Sequence, residues 1–333
     1  MKKCAVLSFS ERGAKLAQRI AEAMEKDWEA FCVQPRGNLS EVTGQLFGEC
    51  DALVFVGACG IAVRAIAPYV VSKTCDPAVL VIDERGQHVI SLLSGHIGGA
   101  NALTKHIASA VSAYPVITTA TDVNGRFSVD AWAAKHDLSI DDMGLAKAFS
   151  AGILDSDMPL FSDLPLEGRL PEGIVLAQSG DLGAAVSYRI AEPFKHTLRL
   201  IPKCLHLGIG CRRGTPAELI KSLVEKTFAE HDIDIRSVKR IASIDVKSDE
   251  EGLLAFAEGL AVPTAFYTAE ELQQMQGDFS ASAFVQSQVG VDNVCERAAV
   301  LSAGDSAKLI VRKTAADGVT VAVALENRRL TFE

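Results

Sequence analysis

A chain of 333 residues is longer than one hydrophobic core usually grows, so two or three domains are expected. With 48% hydrophobic and 23% charged residues the composition is globular, which excludes a disordered or fibrous chain. The net charge of -9 argues against a general nucleic-acid or anionic-membrane binder, because both need a positive field to recruit phosphate.

The N-terminal residues Met1-Lys2-Lys3-Cys4 are basic, but the apolar stretch after them stops at Ser8, Ser10, Glu11 and Arg12, too short for a signal peptide. Eight cysteines lie scattered at 4, 32, 50, 59, 75, 204, 211 and 295, with no C-x-x-C pair and no Cys/His zinc spacing. Reduced thiols, a cytoplasmic location and no structural metal are therefore expected. The window Ala52 to Val71 has membrane length and carries one charge, Arg64, yet Gly57, Gly60 and Pro68 divide it, and Leu53–Val56 reads as a buried parallel strand.

In chain order, Cys4–Phe9 predicts a strand, Glu11–Lys26 a helix, Leu53–Val56 a strand and Gly60–Ala67 a helix, which is a βα rhythm. Ala78–Ile82 and His88–Leu93 flank the turn formers Glu84-Arg85-Gly86-Gln87 and predict a hairpin. A helix over Ile97–Ser112 and a strand over Tyr114–Thr119 follow. From about 139 to 202 Pro159, Pro165, Pro171 and Pro193 and six glycines break the pattern, predicting a small bridging module. A second βα series then begins. It comprises a strand over Cys204–Ile209, a helix over Thr215–Glu230, a strand over Val238–Ile244, a helix over Asp249–Leu260, and a hairpin of Lys308–Arg312 with Val319–Val323 around Asp317-Gly318. The expected fold class is α/β: two βα-type domains with parallel-rich sheets, 1–138 and 203–333, joined by a middle module over 139–202.

Two glycine-rich turns carry the chemistry of the sequence. Gly208-Ile209-Gly210-Cys211-Arg212-Arg213-Gly214-Thr215 links a strand to a helix whose start suits anions, with Thr215 as N-cap, Pro216 at the first helical position and Glu218 completing a capping box. Arg212 and Arg213 add forked donors for carboxylates, against the plainer reading of a tight turn with two solvated arginines. Its third glycine falls one position late for G-x-G-x-x-G, and no G-x-x-x-x-G-K-[ST] occurs, so dinucleotide and P-loop sites are poorly supported.

The other turn is Ser94-Gly95-His96-Ile97-Gly98-Gly99-Ala100-Asn101. Glycines permit close approach of backbone N–H groups to an oxyanion, and His96 titrates near neutrality as a general acid or base should. A lone histidine in a turn is ordinarily a structural hydrogen-bonder, but Asp83 and Glu84 on the adjacent hairpin are candidates to orient or assist it. In a third turn, Gly57-Ala58-Cys59-Gly60-Ile61-Ala62-Val63-Arg64, Arg64 would reach a ligand at the sheet edge, with salt-bridge duty as the alternative, while Cys59 is read as structural.

With these residues in view the chain resembles the cobalt-precorrin-5A hydrolase family of anaerobic cobalamin biosynthesis over nearly its whole length. The matching blocks are 56–64, 76–79, 93–101 and 115–122 in the N-terminal portion, and 208–215, 241–247, 287–291 and 294–296 in the C-terminal portion. The resemblance implies a cobalt corrinoid substrate bearing acetate and propionate groups and a ring-A lactone, which water opens before the former bridging carbon leaves as acetaldehyde. On that basis His96 is the expected base, with Glu84 or Asp83 as its partner or alternate, and N–H groups from Gly98 to Ala100 face the oxyanion. Arg64, Arg212 and Arg213 clamp peripheral carboxylates, and Gly95, Gly98, Gly99, Asn101, Gly208, Gly210 and Thr215 complete the expected binding set. Cobalt arrives within the substrate, so no cofactor of the protein's own is expected, and other enzymes of the pathway are candidate partners. The alternatives are a non-catalytic corrinoid carrier with the same binding residues, and a nucleotide-binding regulator.

Overall fold

The apolar runs Ala52–Val56 and Ala78–Ile82 have no polar side to present to water, and each is a strand with every residue buried. They lie at the centre of the first sheet in the computed structural model, which describes residues 1–72, 75–281, 286 and 290–332. The chain divides into two compact units, Met1–Ala134 with Ile153–Asp155, and Lys135–Gly152 with Ser156–Glu333.

The first unit runs β1 (Lys2–Ser8), α1 (Glu11–Met24), β2 (Trp28–Val33), α2 (Leu39–Glu49), β3 (Ala52–Val56), α3 (Cys59–Ile66), β4 (Ala78–Ile82), β5 (His88–Leu93), α4 (Ala100–Val111), β6 (Tyr114–Val116), α5 (Ala120–Val123) and α6 (Val129–Lys135). Its six-stranded sheet has the order β2-β1-β3-β4-β5-β6. Side chains alternate across it. Val6, Val54 and Leu80 pack with Leu16 and Ile20 of α1 and Ile107 of α4, whereas Leu53, Phe55 and Val79 pack with Leu46 of α2 and Ile66 of α3. The Ala52–Val71 window is thus a core strand and an eight-residue helix, and among the described residues no helix is long and apolar enough to cross a membrane.

All pairings in this sheet are parallel except β4 with β5, because the connection from Ile82 to His88 is too short for a crossover and must form a hairpin. The consequence is positional. The Asp83–Gln87 turn lies at the same sheet edge as the carboxyl ends of β1, β3 and β4, while β5 carries the chain back, so that Leu93 pairs with Val79 at the opposite edge.

The second unit runs β7 (Leu138–Ile140), α7 (Met143–Asp155), β8 (Met158–Ser162), β9 (Leu166–Glu167), β10 (Ile174–Leu176), β11 (Leu182–Val186), β12 (His196–Pro202), β13 (Leu205–Cys211), α8 (Ala217–Glu230), β14 (Val238–Ile244), α9 (Glu251–Gly259), β15 (Thr264–Tyr267), α10 (Ala269–Gln274), α11 (Cys295–Ala303), β16 (Lys308–Ala316), β17 (Val319–Leu325) and β18 (Leu330–Thr331). The proline-broken middle segment builds its own sheet, β10-β8-β11-β12-β7, with β7 antiparallel at one edge. The C-terminal sheet, β15-β14-β13-β17-β16, is parallel from β13 to β15 and ends in the antiparallel hairpin that Asp317-Gly318 closes. A short parallel pair, β18 with β9, ties the end of the chain to the middle segment. The architecture is α/β with parallel-rich sheets.

Candidate active site

His96 stands between two carboxylates. Its Nε2 lies 2.9 Å from Asp122 Oδ2 and its Nδ1 3.0 Å from Asp130 Oδ1, with Ser128 Oγ also 3.0 Å from Nδ1. Ser128 donates to Asp130 at 2.7 Å, so serine and carboxylate act together on that nitrogen. Burial works against a charge on His96, but the hydrogen bonds and charges of Asp130 and Asp122 outweigh it, and its pKa is raised above the ordinary value. The two carboxylates therefore favour the protonated ring, the form in which both nitrogens donate. The Asp130 side is closed, with its carboxylate side chain 9% exposed, whereas that of Asp122 is 22% exposed and forms the open side.

The local fold explains this placement. β5 and β6 are parallel neighbours, so the turn after Leu93 and the segment after Val116 emerge at one sheet edge. Asn101, buried in the first turn of α4, joins them. It donates to Asp122 Oδ2 at 2.9 Å and Thr119 Oγ1 at 3.0 Å, and accepts from Ser91 Oγ at 2.7 Å. Lys105, one turn further along α4, places Nζ 3.6 Å from Asp122 Oδ1. Ser94 takes a left-handed backbone, with φ of 56°, at the start of the turn.

Two expectations for this turn need correction. Asp83 and Glu84 do not partner His96, because the antiparallel β5 separates their turn from His96 by the length of a strand, roughly 20 Å for six residues. Asp83 instead accepts N–H groups of Arg85, Gln87 and His88, which cap the hairpin, and Glu84 accepts from Ser10 Oγ. Arg64 lies in the last turn of α3 and donates to Gly60 O within its own helix at 3.1 Å. Of the amides expected to face an oxyanion, from Gly98 to Ala100, two are engaged inside the turn: Gly99 N donates to His96 O and Ala100 N to Ser94 O.

The glycines of the turn serve its closeness. A Cβ on Gly95 would lie 2.8 Å from the Asn101 side chain, and one on Gly98 would lie 2.4 Å from Ser94 Cβ. A side chain at Gly95 would displace the Asn101 that holds Asp122, and one at Gly98 would displace Ser94. The helix predicted from Ile97 begins only at Ala100, since residues 94–99 make this hydrogen-bonded turn.

The second glycine-rich segment departs from its expected form. Gly208 and Gly210 lie inside β13, which runs on to Cys211, and a Cβ on Gly208 would come 1.8 Å from the carbonyl oxygen of Cys295 in α11. Gly208 is thus a packing residue that brings a helix against the strand. Thr215 does not cap α8. Its hydroxyl donates to Arg212 O at 2.8 Å, and Pro216 holds the cap position without a side-chain bond. The anion site predicted at this turn is filled by the chain itself: buried Glu250 accepts from Gly214 N at 2.6 Å and from Lys247 Nζ at 3.2 Å, and Asp249 lies 2.6 Å from Arg213. Arg212 alone of the two arginines has no carboxylate partner among the described residues. Beside it a cleft of about 650 Å³ opens at the edge of the C-terminal sheet. The Ser287-Gln288-Val289 part of the family resemblance lies outside the described residues.

Sequence reasoning missed Asp122, Asp130 and Ser128. The Thr119-Ala120-Thr121-Asp122 stretch was a visible signal, being part of a matching block, but nothing local marks Asp130.

Residues 41–122 match the family model described as Cobalamin synthesis G N-terminal, and residues 205–324 the one described as Cobalamin synthesis G C-terminus. Among curated proteins the chain is similar to the cobalt-precorrin-5A hydrolase of Salmonella typhimurium, at 36% identity over 96% of this chain and 97% of that one. To the cobalt-precorrin-5A hydrolase of Priestia megaterium it is 33% identical over 96% of this chain and 94% of the other. Among solved structures it is similar to a cobalamin biosynthesis protein G homolog of Sulfolobus solfataricus, at 23% identity, 97% coverage of both chains and a TM-score of 0.45.

Proposed function

Because the chain belongs to the Cobalamin synthesis G family of cobalt-precorrin-5A hydrolases, we propose that it hydrolyses the lactone of a cobalt corrinoid and that the His96 cluster performs the chemistry. The observation that carries this reading is His96 held between Asp122 and Asp130 at 2.9 and 3.0 Å.

A histidine whose protonated form is favoured by two carboxylates serves as an acid before it serves as a base, a role other than the one expected from the sequence. Asp122, on the open side, takes a proton from water as the water oxygen bonds to the lactone carbonyl carbon. The acyl carbon–oxygen bond breaks, and the departing alkoxide takes the Nε2 proton of His96. Now neutral, His96 removes that proton again from the freed hydroxyl. The carbon–oxygen double bond of acetaldehyde forms, and the electrons of the breaking carbon–carbon bond pass into the macrocycle. Asp122 returns its proton to solvent. Asp130 and Ser128 hold the ring throughout, as the buried carboxylate of a catalytic triad holds its histidine. Cobalt enters and leaves with the substrate.

Incubation of the protein with cobalt-precorrin-5A, with acetaldehyde trapped as it forms, tests the reading. Wild type should release acetaldehyde, and His96→Gln should bind the corrinoid while losing on the order of 10²–10⁴-fold in rate. Tight binding without any acetaldehyde from wild type would leave a corrinoid carrier. Undiminished release by His96→Gln would remove His96 from the chemistry.

A further inference from the structure

The cleft at the edge of the C-terminal sheet has two unlike sides. Ile244, Val246, Val294 and Val319 give it an apolar wall, and its lining includes Arg212, Arg213, Lys247 and Lys313 against one acid, Asp317. On a chain of net charge -9 this is a local concentration of cations. Two of the four are neutralised by the chain, Arg213 by Asp249 at 2.6 Å and Lys247 by Glu250 at 3.2 Å. Arg212 and Lys313 have no carboxylate partner among the described residues.

Lys313 is placed by a built feature. Val311 of β16 pairs with Val323 of β17, but Thr314 pairs with Val321, so one extra residue bulges out of β16 at Arg312-Lys313. The Lys313 N–H, turned away from β17, donates to Glu296 at 2.7 Å. Glu296 is fully buried in α11 and also accepts from Ser280 N, Ser280 Oγ and Asn293 Nδ2 at 2.7, 2.9 and 3.0 Å. A buried carboxylate with neutral donors thus fixes the backbone from which a cation reaches the cleft.

We propose that this cleft binds the anionic rim of a tetrapyrrole, the ring lying on the apolar wall while Arg212 and Lys313 hold its side-chain carboxylates. The proposal rests on the functional reading above and names how the substrate is held at a site other than His96. Glu296 is its positioning residue. Thiol groups of Cys211 and Cys295 also line the cleft, and burial pushes both above the ordinary thiol range, Cys295 to about 11, so they add no negative charge against the ligand.

The test uses cobyrinic acid, a cobalt corrinoid with free carboxylates, and the same ring fully amidated, titrated against the full chain. Wild type should bind the acid far better than the amide, and more weakly as salt rises. Arg212→Ala and Lys313→Ala should each weaken acid binding by about tenfold. Arg312→Ala, whose guanidinium pairs with Asp278 instead, should not. With cobalt-precorrin-5A as substrate the two cleft variants should raise KM and leave kcat, whereas loss at His96 lowers kcat. Cleft variants that bind the acid as wild type does would overturn the assignment and leave the hydrolase reading standing. A wild-type protein that binds neither corrinoid and releases no acetaldehyde would remove that reading as well.

Discussion

Asp130, only 7% exposed, stands 3.0 Å from Nδ1 of His96, on the far side of the ring from Asp122. One carboxylate is sealed in and the other is more exposed, and the proposed mechanism gives the two acids different duties. Asp122→Asn should lower kcat about 100-fold or more at every pH, since the group that takes the water proton is gone. Asp130→Asn keeps that group but removes one of the two anions that favour the imidazolium. Its alkaline limb, where His96 loses its proton, should move to lower pH. A pH profile of kcat for both variants distinguishes these duties, and an unmoved limb in Asp130→Asn would contradict the orienting role.

The same cluster links pH to stability. The folded-state pKa of His96 is raised above the ordinary 6.5, so its contribution to stability is fully present below 6.5 and is lost as pH rises through the folded value. Wild type should therefore exceed His96→Gln in denaturant midpoint by most under mildly acidic conditions, and the gap should narrow as the solution becomes alkaline. A gap that widens with pH would mean that the histidine is held neutral.

Two glycines should respond very differently to alanine. At Gly208 the new Cβ would meet the Cys295 carbonyl at 1.8 Å, backbone that cannot move without shifting α11, so Gly208→Ala should cost about 3 kcal/mol or more. At Gly99 nothing lies within 4 Å, and the expense is the left-handed φ of 82° alone, about 1–2 kcal/mol. Thermal unfolding of the two variants measures the difference, and equal losses would count against the packing role of Gly208.

Glu250 fills an anion site that belongs to its own fold. Removing it in Glu250→Ala leaves Gly214 N–H and Lys247 without their acceptor, and added acetate should stabilise this variant while leaving wild type unchanged. Burial raises the pKa of Glu250, but the Gly214 N–H and Lys247 outweigh it and hold it below the ordinary 4.5. Its contribution is therefore present above 4.5 and is lost as pH falls through the folded value, so wild type and Glu250→Ala should converge in strong acid. Melting curves with and without acetate measure the rescue, and equal shifts in both proteins would refute it.

By itself the sequence determined the elements whose signal is local. Wholly apolar runs such as Leu53–Val56, the hairpin around Glu84–Gln87, the helix after Pro216 and the Asp317-Gly318 turn all announce themselves within a few residues, and each formed where its pattern lay. The parallel-rich α/β class was legible on the same ground, as was a turn between a strand and a helix around His96. The strands of the middle segment were not, because prolines and short runs hide their pairing. Tertiary structure alone decided which residues meet. The antiparallel β5 sent Glu84 and His96 to opposite edges of one sheet, while the parallel β5 and β6 brought Asp122, 26 residues along the chain, to within hydrogen-bonding distance. Gly208 likewise looked like a ligand turn and proved to be a helix contact, since the Cys295 carbonyl that requires it lies far along the chain. Periodicity reports only which face of an element is buried; the partner of a polar side chain depends on strand direction and register, which are fixed when the sheet assembles.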